Sequence, residues 1–284
     1  EDTYKYDLNV SYQKQNMFRV SLRNQRTNHE QIILKNNDGV YVLTPSLNKT
    51  FKFQSEWPYN NSQVYLYQSL VNDILSDKER TFKEDNGYYI FSVKGDYPNN
   101  PDLKRELIYF DKKLNLKEVH VLDSEERPKI KVIFRTNDMD AKFEKNYFAV
   151  ENNMNVARSN LKEEITVAKK IEDKMYPMYL PSNTHLAKED RVTKTDGERV
   201  IMTFAGDKNF TLIEETTDIY DKMELISVYG DPVFIGETIG ALTKTSATWI
   251  DNGMEFYLVF PDGDEEEILA VANSLTVVQS TGGK

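Results

Sequence analysis

The sequence predicts an α+β protein, mostly antiparallel β: an incomplete, half-open β-barrel with covering helices, followed by a smaller α+β domain. Period-two alternation of apolar and polar residues recurs in short runs, turn dipeptides separate those runs, and few stretches carry helical spacing. Strands at regular intervals around one early helix fit an antiparallel meander curved around something bulky.

A strand pattern opens close to Glu1, and residues 17–53 carry three more. In the first of the three, Phe18, Val20 and Leu22 alternate with Arg19, Ser21 and Arg23, so one face is buried. The others, Gln31 to Lys35 and Val40 to Thr44, flank Asn37-Asp38-Gly39, whose tolerance of positive φ predicts a tight hairpin. The aromatic stretch Phe51, Phe53, Trp57, Tyr59, Tyr65 and Tyr67 leads into a helix. Asn61 or Ser62 would cap it, and Val64, Tyr67, Leu70, Val71, Ile74 and Leu75 form its apolar stripe. Strands follow at 88–93, 104–110, 116–122 and 129–135, with turn signals at Asn86-Gly87 and Arg127-Pro128.

From 160 to 175 the spacing turns helical, with Leu161, Ile165, Ala168 and Ile171 on one face. Asn160 and Glu163 make a capping pair at its start, and Tyr176-Pro177 ends it. Strands are then predicted at 199–204, 210–214, 247–251 and 255–260, with turns at Asp196-Gly197 and Asn252-Gly253. A helix from about 265 to 275 closes the pattern.

At 284 residues the chain exceeds one ordinary domain. Residues 1–150 hold 23 Lys+Arg and 22 Asp+Glu, whereas residues 151–284 hold 13 and 24, a step from +1 to −11. That step predicts a domain over 1–150, a helical linker over 151–175, a small α+β domain over 176–278 and a flexible tail over 279–284. The acidic half excludes a nucleic-acid or anionic-membrane surface there. No apolar run is long enough to span a bilayer. The chain has no cysteine, which excludes disulfides, thiolate metal sites and cysteine nucleophiles within these residues. It shows no signal peptide, as expected of a trimmed mature form.

Catalytic signatures are scarce. His29, His120 and His185 lie far apart, in no metalloprotease or triad setting, and phosphate-cradling and dinucleotide motifs are missing. Asp262, Asp264, Glu265, Glu266 and Glu267 could hold calcium, but their order does not match an EF-hand loop. A capped and dipole-complemented helix start, with Asp262 or Asp264 as cap, is preferred. The expectation is therefore no enzyme, no catalytic residue, no metal and no cofactor. The candidate ligand-binding residues are Phe51, Phe53, Trp57, Tyr67, Leu70 and Ile74, lining an apolar hollow for a lipid, an acyl group or a lipoprotein.

Residues 1–150 resemble the LolA-like lipoprotein-carrier superfamily through Asn16-Met17-Phe18 entering a strand, then Asn37-Asp38-Gly39, Val40 to Leu43 and Thr44-Pro45. The lipoprotein carriers place an Arg-Pro pair before the first of these, where this sequence has Lys14-Gln15. Residues 176–278 resemble a small C-terminal domain of Gram-positive lipoproteins, through Tyr179-Leu180-Pro181, Gly230-Asp231-Pro232, Trp249 with Gly253 and Tyr257, and Ala272-Asn273-Ser274-Leu275. The whole is similar to clostridial relatives of the germination lipoproteins. The resemblance implies an incomplete barrel over an apolar cavity, an anchor cysteine upstream of Glu1, and a place on the outer face of the cytoplasmic membrane. Membrane association would then come only through a lipid anchor that these residues lack. It also implies an alternative to a lipid ligand: an adaptor, with an envelope protein as partner, that supports a peptidoglycan amidase in spore-cortex modification. The free edge of an incomplete barrel further offers pairing between copies as a homodimer. A third reading, an unrecognised hydrolase, would show as clustered ionisable groups with shifted pKa values in one cleft.

Overall fold

In the computed structural model, which describes residues 3–161 and 167–278, the chain opens with a five-strand antiparallel meander. Its strands are β1 (Tyr6–Gln13), β2 (Met17–Asn24), β3 (Glu30–Asn36), β4 (Gly39–Thr44) and β5 (Lys49–Gln54). Short turns join them, so each strand has only its chain neighbour to pair with. The register sets Leu8, Val10 and Tyr12 of β1 opposite Leu22, Val20 and Phe18 of β2, and the row continues through Ile33, Val42 and Phe51. Cross-strand partners share a face, so this row is apolar from β1 to β5, with Gln31, Lys35 and Lys49 on the same side.

Glu56–Glu144 make a separate compact unit. It holds helix α1 (Tyr67–Ser76) and an antiparallel sheet of β6 (Thr81–Asp85), β7 (Tyr88–Lys94), β8 (Arg105–Phe110), β9 (Leu116–Leu122) and β10 (Pro128–Ile133), in the order β10-β9-β8-β7-β6. Helix α1 starts later than its predicted cap. Leu66 stands at the N-cap without a side-chain bond, because the Ser62 hydroxyl is committed to the Asp96 N–H and to Asp73.

From Lys145 the chain rejoins the first unit. There follow α2 (Val150–Ser159), β11 (Met175–Pro177), β12 (His185–Lys194), β13 (Gly197–Ala205), β14 (Phe210–Thr216), β15 (Glu224–Tyr229), β16 (Asp231–Ile235), β17 (Thr238–Leu242), β18 (Ser246–Asp251), β19 (Met254–Val259), α3 (Glu265–Asn273) and β20 (Leu275–Val277). Seven of the strands form one antiparallel sheet, ordered β12-β13-β14-β19-β18-β17-β16. Its core combines Met202, Phe204, Phe210, Trp249 and Phe256 with Ile268 and Val271 of α3. Strand β15 leaves that sheet and pairs in parallel with β5, so the meander gains a sixth strand from the C-terminal half.

The fold is thus β-dominated α+β and mainly antiparallel, and among the described residues no sheet closes into a barrel. By packing the chain divides at Ser55/Glu56 and Glu144/Lys145, and β15 and α2 return to the first sheet. The helix expected over 160–175 is also displaced: α2 ends at Ser159, and residues 167–174 are not helical. Residues 162–166 of that expected helix, and the tail over 279–284, lie outside the described residues. The spacing concealed α2 because two of its inward contacts are polar. Asn153 accepts from Arg19 Nε at 2.6 Å, and Arg158 reaches the Pro45 carbonyl at 2.8 Å. Covered by α2 on its other side, the middle of the sheet is buried on both faces, so β3 and β4 carry continuous buried runs rather than alternation.

Candidate functional site

The six residues predicted to line a ligand cavity are divided between the two units. Phe51 and Phe53 stand two apart on β5, each 3% exposed, in the first unit. Trp57, Tyr67, Leu70 and Ile74 belong to the second, where Trp57 and Leu70 are core at 1% and 0% exposure. Tyr67 meets Phe110 edge-on with ring centroids 6.5 Å apart, and Ile74 is half-buried. Four of the six are therefore consumed by packing.

One turn beyond Leu70, the second unit holds a buried acid pair that spacing did not reveal. Glu106, fully buried on β8, shares its face with Ile108 and Val93, and its Oε2 has no hydrogen-bond partner. The Tyr97 hydroxyl donates to its other oxygen. Burial, then Asp73 nearby, pushes Glu106 up to about 7 against the lowering effect of that hydroxyl. Asp73 rises to about 6, chiefly by burial, and its Oδ2 is likewise without a partner.

The histidines stay apart. His120 meets Glu118 at 2.8 Å, while His29 and His185 are exposed in the first unit. Among the described residues, no three His, Cys, Asp or Glu side chains converge as a metal ion requires. In the acidic run, Asp264 caps α3: it accepts from the Glu267 N–H at 2.9 Å while Glu267 bonds back to the Asp264 N–H.

What the structure leaves unsatisfied is a sheet edge. Proteins commonly blunt their edge strands with charge, proline, bulges or brevity. Strand β12 carries Lys188, Glu189, Asp190, Arg191 and Lys194; β6 carries Lys83, Glu84 and Asp85; β10 starts with Pro128 and has a register shift; β16 holds Asp231 and Pro232. Strand β1 has none of these protections beyond Asp7. It runs eight residues, has an unbroken register against β2, and lies at the end of its sheet. Its polar row is used internally: Asp7 accepts from Gln25, Asn9 from Arg19, and Ser11 bonds the Tyr147 hydroxyl at 2.9 Å. Its apolar row is only partly covered: Tyr12 packs on Phe18 with ring centroids 4.9 Å apart, and Leu8, Val10 and Tyr12 are each 37% exposed. Strand β15, at the other end, is shorter and carries Glu224. The alternation of Tyr6, Leu8, Val10 and Tyr12 marks β1 as a strand, but which strand ends a sheet is set by pairing over long distances.

No family model matches the chain. The sporulation protein YdcC of Bacillus subtilis (strain 168) is 36% identical over 271 residues, covering 95% of this chain and 80% of that protein. The chain belongs to the YdcC family. Among solved structures, MucB in complex with MucA aligns over 96% of this chain and 88% of its own at 11% identity and a TM-score of 0.29. MucB alone aligns over 97% and 87%, at 11% identity and a TM-score of 0.30. A chain from the complex of the Clostridioides difficile CwlD amidase with the GerS lipoprotein aligns over 50% and 86%, at 14% identity and a TM-score of 0.25. Superpositions this loose bring neither fold nor function to the YdcC family. No helix among the described residues is long and apolar enough to cross a membrane.

Proposed function

We propose that this YdcC-family chain is a non-catalytic, protein-binding component of the cell envelope that acts in sporulation, and that β1 takes up an extended segment of its partner. The observation that carries the reading is β1 itself: an eight-residue terminal strand with one charged side chain and a half-exposed row of Leu8, Val10 and Tyr12. Strand addition supplies main-chain hydrogen bonds for affinity and alternate side-chain contacts for selectivity. The sporulation context is proposed from the YdcC relative. The LolA-like form of the first sheet, the lipid anchor and the outer-face position, all implied by the sequence resemblance, belong to the same proposal. A protein partner is preferred to a lipid or acyl ligand because Phe51, Phe53, Trp57 and Leu70 are at most 3% exposed and offer a ligand little surface. From the resemblance, the partner to test first is a peptidoglycan amidase of the same cell.

The test replaces Val10 and Tyr12 together by lysine and measures binding of the purified amidase, with thermal melting alongside. Both side chains are partly exposed, so melting should hold while affinity falls by about tenfold or more, the effect of removing about 1.4 kcal/mol of binding energy. Undiminished binding by the folded variant would overturn the β1 interface. Should the wild-type chain instead dimerise through β1 and the variant be monomeric, the occupant is a second copy and the amidase reading falls.

A further inference from the structure

Within the first unit, the ends of the meander and the hairpins of the C-terminal sheet line a partly open cavity of about 160 Å³. Tyr6, Leu22 and Glu30 form one wall, and Phe234, Glu237 and Asp251 the other. Of β1, Tyr6 lines this space, whereas Leu8, Val10 and Tyr12 do not. A protein cavity of about 150 Å³ admits a molecule the size of benzene. The space therefore suits a chain of roughly five or six heavy atoms and is too small for a nucleotide or an acyl chain.

The charges around it do not balance. Glu30 is bonded to Arg23 at 3.1 Å, and Glu237 to Arg26 and the Asn24 amide. Among the described residues, Asp251 accepts from the backbone N–H of Asn252 and has no ion-pair partner. Burial first, and then the Glu237 carboxylate, push Asp251 above the usual aspartate range, with His29 and Arg26 close enough to oppose this in part. A half-buried carboxylate beside a like charge, with no bonded cation, is stabilised by any cation that enters. The rest of the lining mixes polar side chains, among them Asn24, Gln31 and Thr238, with apolar ones. Leu22 and Ile250 are 4% and 6% exposed, and Tyr6 meets Phe234 edge-on at 5.9 Å between centroids. An alkyl stem buries against such a wall, and an aromatic ring face favours the ammonium at its tip.

We propose that this cavity binds the primary alkylammonium of a lysine-like side chain, its stem against Leu22 and Ile250 and its charge on Asp251. An ammonium is more compact than a planar guanidinium and so suits the narrow space better.

Calorimetric titration of the full chain tests this with three probes: Nα-acetyl-lysine methylamide, its norleucine analogue, and the free diamine cadaverine. The lysine probe should bind saturably, more weakly at high salt. The norleucine probe, which keeps the stem and lacks the ammonium, should not bind. Asp251→Asn should weaken lysine binding by about tenfold or more. No saturable binding, equal binding of norleucine, or full affinity in Asp251→Asn would each overturn the assignment. Cadaverine binding without lysine binding would overturn the side-chain source in favour of a free diamine. If Asp251→Asn does not fold, the wild-type chain decides by NMR: the lysine probe must shift the Asn252 and Gly253 amides, and the norleucine probe must leave them in place. These probes need no partner protein, so their failure leaves the β1 interface standing.

Discussion

Glu106 shows what a single buried side chain does to a whole unit. Its folded-state value of about 7, like the value of about 6 for Asp73, lies above the ordinary one, so folding retains protons that the unfolded chain releases. The stabilisation is complete below the ordinary carboxylate range and is lost as pH rises through about 7. A rise from 4.5 to about 7 at Glu106 corresponds to about 3 kcal/mol. Asp73 adds in the same direction and less, being more exposed to solvent. Urea unfolding of the second unit, followed by Trp57 fluorescence with Trp249→Phe silencing the other tryptophan, should therefore show lower stability at about pH 8 than at about pH 5. Glu106→Gln keeps the shape, removes the charge, and should flatten most of that dependence while raising stability at the higher pH. A Glu106→Gln variant that follows the wild-type pH profile would mean that Glu106 does not titrate in this range. Such a residue is invisible to sequence reading, because the alternation of β8 gives a glutamate at that position no sign of being inside.

Between elements, the pattern was legible wherever local geometry decides the outcome. Asn86-Gly87 and Asn252-Gly253 form the tight turns expected of them, with φ of 48° and 84°, and 48° and 75°. The acidic run at 262–267 starts a capped helix, and β9 runs over 116–122 as its alternation predicts. Legibility failed where tertiary contacts decide. Helix α2 is held by Asn153 and Arg158, which no apolar stripe announces, and β12 is almost wholly exposed and charged. The candidate site divides in the same way: the rows of β1 are readable and its free edge is not, while four of the six cavity candidates, Phe51, Phe53, Trp57 and Leu70, are buried. The tie between β5 and β19 is of this long-range kind. Lys49 Nζ meets Glu255 Oε2 at 2.5 Å with side chains only 2% and 8% exposed, and the ammonium also lies 5.5 Å from the centre of the Phe51 ring. Removing one partner leaves a buried charge uncompensated, so Lys49→Met or Glu255→Leu alone should cost about 3–5 kcal/mol. The double substitution should recover much of that loss, because packed apolar side chains replace buried ion pairs at little cost. A double-mutant cycle on unfolding free energies measures the difference. Additive losses would show that the two groups do not depend on each other.

At the scale of the whole molecule, the placement of β15 decides how the chain can be divided. A boundary near 150, where the charge changes, would leave residues 1–150 as a self-sufficient domain. The meander takes its sixth strand from residues 224–229 and the partner of Lys49 from residue 255. Further ties come from Asn48 to the Tyr220 carbonyl at 2.9 Å, from Gln31 to the Ile239 N–H and carbonyl at 2.7 and 3.2 Å, and from Asn24 and Arg26 to Glu237. Each of these leaves a polar group without its partner when the chain is cut at 150, and β5 becomes an open apolar edge. A fragment ending at residue 150 should accordingly lack a cooperative transition in the β1–β5 sheet. Hydrogen exchange there should be unprotected even if the Glu56–Glu144 unit, whole within the fragment, keeps its own protection. Protection of the β3 and β4 amides equal to that in the full chain would instead make the charge step the true boundary. The unit that carries the β1 edge depends for its stability on residues from both ends of the sequence, so a partner bound at β1 stabilises the C-terminal sheet as well, through the contacts that make them one unit.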